Sequence, residues 1–416
     1  MRVAVVGAGL AGVASAYALA RRGVEVTIIE ASVGPALGAS FANAGMLTPS
    51  MSDPWNAPGV WRDLLRWLGR EDAPMLLRLK AMPGLAPWGL RFLAASREST
   101  FTRAIAHNVR LGLFSIEVMN AWRDEAAFDY EGARVGTMKV YRSAASFAQG
   151  VVKATAMAEL GVPFRALNRQ ETVAFEPTLL PIEAEIEGAV HFPHDQSGDA
   201  QRFVEGLSRA CAARGAVLRW GAPARALRIE AAAVNGVVLE SSEVIEADAV
   251  VLAAGARTPA LASSVGVHLP ISPVKGYSIT YEAGGLALPG LPIVDDALHA
   301  AVTPFRERLR VAGTAEFAGF DAKLQPRRIE NLCGLLQRIL PAQADELERR
   351  GAKAWAGFRP MHARGLPAIG AARRGLFINA GHGHLGWTQA AGSGEALARA
   401  ILGEGGFDLS PFQPGR

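Results

Sequence analysis

Several things are scarce in this chain, and each scarcity excludes something. Among 416 residues there are two cysteines, Cys211 and Cys333, each alone in a helix-like context. They form no Cys-x-x-Cys spacing and no disulfide framework, which favours a reducing, cytoplasmic compartment. No metal-ligand spacing is legible. Lysine is scarce too: of 43 basic residues only six are Lys, and the arginines are scattered rather than in runs. With a net charge of +4, the chain lacks the concentrated basic stripe of a nucleic-acid-binding protein. Internal repeats and low-complexity tracts are absent. The one long apolar run, the first twenty residues, carries three glycines, lacks a small-residue cleavage pattern and continues into a charged strand. It reads as a buried strand, turn and helix, neither a signal peptide nor a membrane span.

What is present is a half-apolar composition, enough to bury a large core over two domains. Arg2–Val6 reads as a strand, Val13–Arg22 as a helix closed at Gly23, and Val24–Glu30 as a second strand, a parallel βαβ opening. Residues 53–130 hold five of the eight tryptophans (Trp55, Trp61, Trp67, Trp88 and Trp122) on helical spacing and read as a helical insertion. Its tryptophans suit core or lid packing, and make it a candidate for peripheral membrane contact. Arg134–Arg142 alternates like a strand; Phe147–Leu160 and Asp199–Arg214 read as helices, the second capped by Asp199, with Asp195 at the turn before it. Ala224–Ile229 and Val234–Leu239 read as paired strands, with Asn235-Gly236 the candidate turn. Ala247–Ala254 is a continuous apolar run suited to a central parallel strand. Residues 269–317 are strand-rich, Pro326–Arg350 is helical, and the chain closes with strand Leu376–Ala380 and helix Gln389–Leu402.

The parallel-sheet pieces are thus scattered along the chain. The expected fold class is α/β, a Rossmann-type domain interrupted by a mixed-sheet α+β domain. Segments 1–52, 195–268 and 350–416 form the first, and 53–194 with 269–349 the second.

Three motifs carry chemistry. In Gly7-Ala8-Gly9-Leu10-Ala11-Gly12, Gly7 permits a tight turn, Gly9 lets a pyrophosphate approach and Gly12 allows close helix–strand packing. The helix that follows offers its free N–H groups to phosphates. Glu30, with Ala31 beside it, stands where an acid meets the ribose hydroxyls. Ser40-Phe41-Ala42-Asn43-Ala44-Gly45-Met46 alternates small and hydrogen-bonding residues, suiting either a backbone pressed against a flat ring or a polar loop. Gly381-His382-Gly383-His384-Leu385-Gly386-Trp387-Thr388 precedes a helix, and its N-terminus suits the electron-rich edge of a reduced flavin. Two glycine clusters so far apart in sequence point to FAD.

The order of GAGLAG, SFANAGM, PVKGYSIT, RLRVAGTAEFAGFD, FRPM and GHGHLGWTQAAGSG resembles the D-amino-acid dehydrogenase small-subunit family, within the D-amino-acid oxidase and glycine oxidase group of flavoproteins. The resemblance implies non-covalent FAD and oxidative deamination of a small D-amino acid to an imino acid and then a 2-oxo acid by hydride transfer to flavin N5. Electrons would pass to a quinone or another non-oxygen acceptor, with the protein at most peripheral on the inner face of the cytoplasmic membrane. It places Gly7, Gly9, Gly12 and Glu30 on the adenosine-diphosphate side; Ser40, Asn43, Ala44, Gly45 and Met46 near the flavin; and residues 381–388 against the pyrimidine edge. Gly255, after Ala254, matches the glycine that closes the domain over the cofactor. Arg359 matches the arginine that holds the substrate carboxylate, a role suited to a planar guanidinium.

Tyr277 either adds a hydroxyl to that carboxylate or packs in a strand. His299 and His384 are further pocket candidates, although the family often has a lysine where His299 stands. Alternatives are a glycine, sarcosine, D-proline or hydroxyproline-type amine oxidase, a catalytically silent FAD-binding electron-transfer subunit, and an NAD-dependent dehydrogenase, which the late glycine-rich loop disfavours.

Overall fold

A computed structural model describes residues 1–67, 69–71 and 73–415. Arg2–Val6 is the centre of a six-stranded sheet. Parallel partners Glu25–Ile29 and Ala249–Leu252 flank it, Val217–Arg219 and Leu376–Ala380 extend it in parallel, and Ala368–Arg373 closes one edge antiparallel. The central strands Arg2–Val6 and Ala249–Leu252 are buried on both faces, which is why they read as unbroken Val/Ala/Leu runs. On one face the helix Leu10–Ala20 packs against helices Ala200–Ala213 and Gly386–Ile401. A Cβ on Gly394 would lie 2.6 Å from the Ala14 carbonyl carbon and one on Gly392 2.9 Å from Ser115 Cα. The Gly-Ser-Gly of the last helix is therefore what lets two helices approach its backbone. The three-stranded meander Ala224–Glu230, Ala233–Leu239 and Val244–Glu246 covers the other face.

The second sheet is mixed and nine-stranded, in the order Ala352–His362, Ile271–Glu282, Arg308–Phe317, Ala300–Phe305, Ile293–Asp295, Thr137–Tyr141, Gly188–Phe192, Arg165–Asn168, with Met75–Leu77 added beside Arg308–Phe317. Helices Pro326–Ile339 and Pro341–Arg350 bury their apolar stripes against one face. The other face looks into a large cavity.

Four expectations are corrected. The hairpin turn falls at Ala231-Ala232, both left-handed (φ 48° and 64°), and not at Asn235-Gly236, which lie within a strand. Gly236 is needed there because a Cβ would come 2.6 Å from the Ile245 carbonyl oxygen; the glycine marks a close strand approach, not a turn. The single helix expected over Pro326–Arg350 breaks at Pro341, which opens a second helix. Strand Ala352–His362, assigned by sequence to the first domain, pairs along eleven residues with Ile271–Glu282 and belongs to the nine-stranded sheet. Conversely, the 29-residue helix Glu98–Ala126 of the insertion packs into the first domain's core, where Trp122 meets Tyr17 edge to face at 5.2 Å.

Candidate functional site

Between the two sheets runs one continuous cavity of about 1620 Å³, well above the roughly 300–1,000 Å³ of an ordinary small-ligand pocket. Its lining joins Gly7, Gly9, Leu10, Ala11, Glu30 and Ala31 at one end to His384 and Arg359 at the other. The two glycine clusters are thus brought into one cavity.

At the first end, Gly7 takes φ 107° and a Cβ there would meet the Ala253 carbonyl oxygen at 2.5 Å. Gly12 sits behind the lining, where a Cβ would lie 1.8 Å from the Gly7 oxygen. The helix Leu10–Ala20 has no side-chain cap and no acid in its first turn, so its positive end is unneutralised. Glu30 is held by two backbone donors: Ala8 N–H to Oε2 at 2.7 Å and Ser32 N–H to Oε1 at 2.9 Å. Ala8 itself does not line the cavity; it orients the acid.

The Ser40–Met46 loop is pinned from the second sheet. Ser278 Oγ donates to the Ala42 carbonyl at 2.7 Å, Arg310 to that of Asn43 at 2.9 Å and Thr303 Oγ1 to that of Ala44 at 2.6 Å. Three successive carbonyls are drawn toward three different strands, and Ser40, Ala42, Asn43, Ala44, Gly45 and Met46 all line the cavity. Ser40 Oγ also accepts from Leu10 N–H at 3.2 Å, joining the loop to the phosphate-side helix. Gly45 (φ 75°) is required, since a Cβ would strike the Phe305 ring at 2.6 Å. Burial pushes Arg310 down to about 10, although Asp199 pulls it upward. Asp199 also caps its helix, accepting from Arg202 N–H. The clamp residues Ser278, Thr303 and Arg310 left no sequence signal beyond their strand positions.

At the far end, Gly383, His384, Gly386 and Trp387 line the cavity, whereas Ala254, also in the lining with Gly255, lies against Gly7. Gly381 (φ 88°), Leu385 and Thr388 stand behind that lining. Leu385 is core-buried, and the Thr388 hydroxyl accepts from Thr48 N–H at 3.0 Å. The helix Gly386–Ile401 again has no side-chain cap and no acid in its first turn.

Arg359 reaches the cavity by lying across Gly276 on the neighbouring strand; a Cβ on Gly276 would fall 2.1 Å from its guanidinium. Among the described residues its one acceptor is the Thr314 carbonyl, at 3.3 Å. Its guanidinium carbon stands 5.5 Å from the Trp55 ring centre, and Trp55 stacks on His384 at 5.4 Å. Burial pushes Arg359 down to about 10, and among the described residues no carboxylate offsets it. Burial also pushes His384 down to about 4, leaving it neutral near pH 7, with Nε2–H toward the Met51 carbonyl at 3.3 Å. Thr314 Oγ1, His384 Nδ1 and Trp387 Nε1 are buried and without partners among the described residues.

Of the roles open to Tyr277, the packed strand residue is the one seen, although Tyr277 also contributes to the cavity lining. Its ring packs in the core under the helices Pro326–Ile339 and Pro341–Arg350, and its hydroxyl donates to Glu316. Strand alternation places it on the face opposite Gly276 and Arg359, so the hydroxyl is not offered to a ligand in the cavity. His299 sits exposed in a left-handed turn (φ 49°) at the cavity rim, edge-on to Trp67 at 6.4 Å. Trp55 and Thr314 are the site residues missed from sequence. Trp55 was counted among the insertion tryptophans, and Thr314 becomes visible only through its left-handed φ of 59°.

The model of the family described as FAD dependent oxidoreductase matches residues 2–400. The chain belongs to that family. It is 38% identical over 405 residues to a D-amino acid dehydrogenase of Methylobacterium nodulans, covering 97% of this chain and 96% of that one. A D-amino acid dehydrogenase of Paramagnetospirillum magneticum is also 38% identical, over 406 residues, 97% of this chain and 95% of the other. Among solved structures, glycine oxidase from Geobacillus kaustophilus aligns with TM-score 0.77 and 25% identity, covering 100% of this chain and 99% of that one.

The residues present fit the family's cofactor. The cavity is long enough to join an uncapped helix N-terminus with its glycine turn to a second uncapped helix N-terminus, and orphaned buried polar atoms face the stretch near the second. Gly7, Gly9, Leu10, Ala11 and Glu30 would hold the adenosine-diphosphate half of FAD, and the 40–46 loop with Gly383, His384, Gly386 and Trp387 the ring.

Proposed function

We propose that this FAD-dependent oxidoreductase deaminates a D-amino acid oxidatively, and that Arg359 anchors the substrate carboxylate. The observation that carries the proposal is the guanidinium itself: half-buried, facing the cavity and, among the described residues, matched by no acid. Buried charges are ordinarily paired, and a carboxylate ligand would supply the missing partner through two parallel hydrogen bonds. The names of the two bacterial relatives support the choice of an amino acid.

Bound FAD supplies the acceptor that takes the α-hydrogen as hydride. The chain's own work is orientation and exclusion of water. Arg359 fixes the carboxylate end, with the Thr314 hydroxyl free to donate beside it. Trp55 and His384 form a flat wall; neutral His384 adds no positive charge that would oppose a nearby cation. The amine enters unprotonated, its lone pair assists loss of the α-hydrogen, and the imino acid hydrolyses in water to a 2-oxo acid and ammonia.

The electron acceptor in this reading is a quinone or an electron-transfer partner. Among the described residues, no helix is long and apolar enough to cross a membrane. Exposed Trp61, Leu65, Leu79 and Leu90 on the insertion support the reading of that segment as a face for peripheral contact with the inner surface of the cytoplasmic membrane. Anaerobic titration with single D- and L-amino acids, read by flavin absorbance, tests the reaction. Bleaching by D- but not L-isomers is expected. Bleaching only by glycine, sarcosine or D-proline would replace this reading with that of a glycine-oxidase-like amine oxidase, and no bleaching at all would point to a non-catalytic subunit.

A further inference from the structure

Four consecutive carbonyls of the Ser40–Met46 loop have partners. Besides the bonds from Ser278, Arg310 and Thr303 to residues 42, 43 and 44, the Gly45 carbonyl accepts from Gly198 N–H at 2.9 Å. In a trans peptide the N–H points opposite to the carbonyl, and these peptides are trans. The Ala42 and Asn43 carbonyls point to Ser278 and Arg310, which lie outside the cavity lining. The N–H groups of Asn43 and Ala44, on the same two peptides, therefore point away from those strands, on residues that do line the cavity. Among the described residues neither N–H meets an acceptor, whereas Gly45 N–H is taken by Asn43 Oδ1 at 3.0 Å. Backbone donors are rarely left unmatched inside a fold, so this pair calls for a ligand that accepts.

Arg310 stands behind one of the two. Its guanidinium donates to the Asn43 carbonyl at 2.9 Å and, through Nε, to Thr280 Oγ1 at 3.0 Å. It lies 4.7 Å from the Phe305 ring centre and is 3% exposed. The peptide joining Asn43 to Ala44 thus carries a buried cation at its oxygen and a free N–H at its other end. A hydrogen bond at the oxygen strengthens that N–H as a donor. The charge is not cancelled locally. Asp199 is shared by Arg310 at 3.6 Å and Arg308 at 3.1 Å, and Glu131 by Arg308 and Arg202, each at 2.9 Å. Three guanidinium groups stand against two carboxylates. The Ser278 and Thr303 hydroxyls, by contrast, hold the loop without charge.

We propose that Arg310 is a positioning residue that sets the electron affinity of the flavin. Through the peptide joining Asn43 to Ala44 it presents a polarised N–H to the ring and favours the reduced form, on which negative charge accumulates. Asp199 moderates that effect. The inference rests on the placement of the ring beside the 40–46 loop, and not on which amino acid is oxidised.

The test is the two-electron midpoint potential of the FAD-loaded protein, read anaerobically against reference dyes, in wild type, Arg310→Met and Asp199→Asn. Methionine keeps much of the bulk, and asparagine keeps the helix cap that Asp199 provides to Arg202 N–H. Arg310→Met should disfavour the reduced form about tenfold, a shift of about 30 mV to more negative potential. Asp199→Asn removes the arginine's counter-charge and should move the potential the other way. Opposite signs are the decisive result, because a loop merely loosened by either change would move both variants in one direction. Shifts of the same sign, or none in either variant, overturn the inference. Should Arg310→Met fail to retain flavin, Arg310→Lys, which keeps the charge, is expected to match wild type, and a positive shift in Asp199→Asn decides. Flavin release from Ser278→Ala and Thr303→Val tests the ring's placement separately; release unchanged in both would remove that placement, and this inference with it.

Discussion

Replacing Arg359 by alanine separates a binding role from a structural one, because the two predict opposite changes in stability. In the free protein the guanidinium has one weak acceptor, the Thr314 carbonyl at 3.3 Å, and the Trp55 ring. Stacking over such a ring contributes about 0.5–2 kcal/mol, while burying an unmatched cation costs several kcal/mol. Deletion should therefore leave the flavin-loaded enzyme as stable as wild type, or slightly more so. Substrate binding should behave differently. The carboxylate loses its partner at a cost of about 2–5 kcal/mol, roughly 30- to several-thousand-fold. The carboxylate is unchanged along the reaction, so most of the loss belongs in KM and the smaller part in kcat, through poorer alignment of the α-hydrogen. The assay is anaerobic stopped-flow reduction of the flavin against substrate concentration, beside thermal unfolding of both proteins. Kinetics unchanged with a carboxylate substrate would refute the assignment. A marked fall in melting temperature would show that the arginine serves the fold instead.

Gly276→Ala should reproduce much of that kinetic defect without touching a charge, since the added Cβ would sit 2.1 Å from the guanidinium; a raised KM with normal flavin content checks it. Removing the clamp hydroxyls by Ser278→Ala and Thr303→Val frees two loop carbonyls. Each change should weaken FAD binding or stability by about 0.5–1.5 kcal/mol, read by flavin release and thermal unfolding. His384, His382 and His362 are held neutral by burial, at about 4, 4 and 3. Their folded pKa values lie below the unfolded value near 6.5, so the stability they contribute is complete above pH 6.5 and declines as pH falls toward 4. His384→Asn should flatten that decline, as followed by urea unfolding between pH 4.5 and 7. Asp195 behaves with the opposite sign: burial raises it to about 7 despite hydrogen bonds from Ser50 and Thr137. Its contribution is complete below its unfolded pKa and is lost as pH rises through 7. The same titrations extended to pH 8.5 should show a smaller alkaline loss for Asp195→Asn.

Local grammar in the chain was enough for the opening βαβ unit and for the late strand, glycine loop and helix, whereas Arg359 was singled out by the family resemblance. Glycine spacing, apolar runs and helix ends act over a few residues, and such signals survive in one dimension. Where a glycine serves tertiary approach, the same reasoning misleads. Gly236 looked like a turn and is a close strand contact, while Gly276, unremarked in the sequence, makes room for Arg359. The membership of strand Ala352–His362 was invisible for a related reason. Its alternation fits either sheet, and only the eleven-residue pairing with Ile271–Glu282 assigns it.

Residue type and spacing by themselves pointed to a dinucleotide-binding α/β fold, and the order of the motifs along the chain resembled the family. Tertiary structure alone decided which polar groups face the cavity. It turned Tyr277 into the core onto Glu316 and set Trp55 between Arg359 and His384. The reason is that a side chain's identity is carried by its codon, whereas its solvation and its neighbours exist only after distant strands have closed over it.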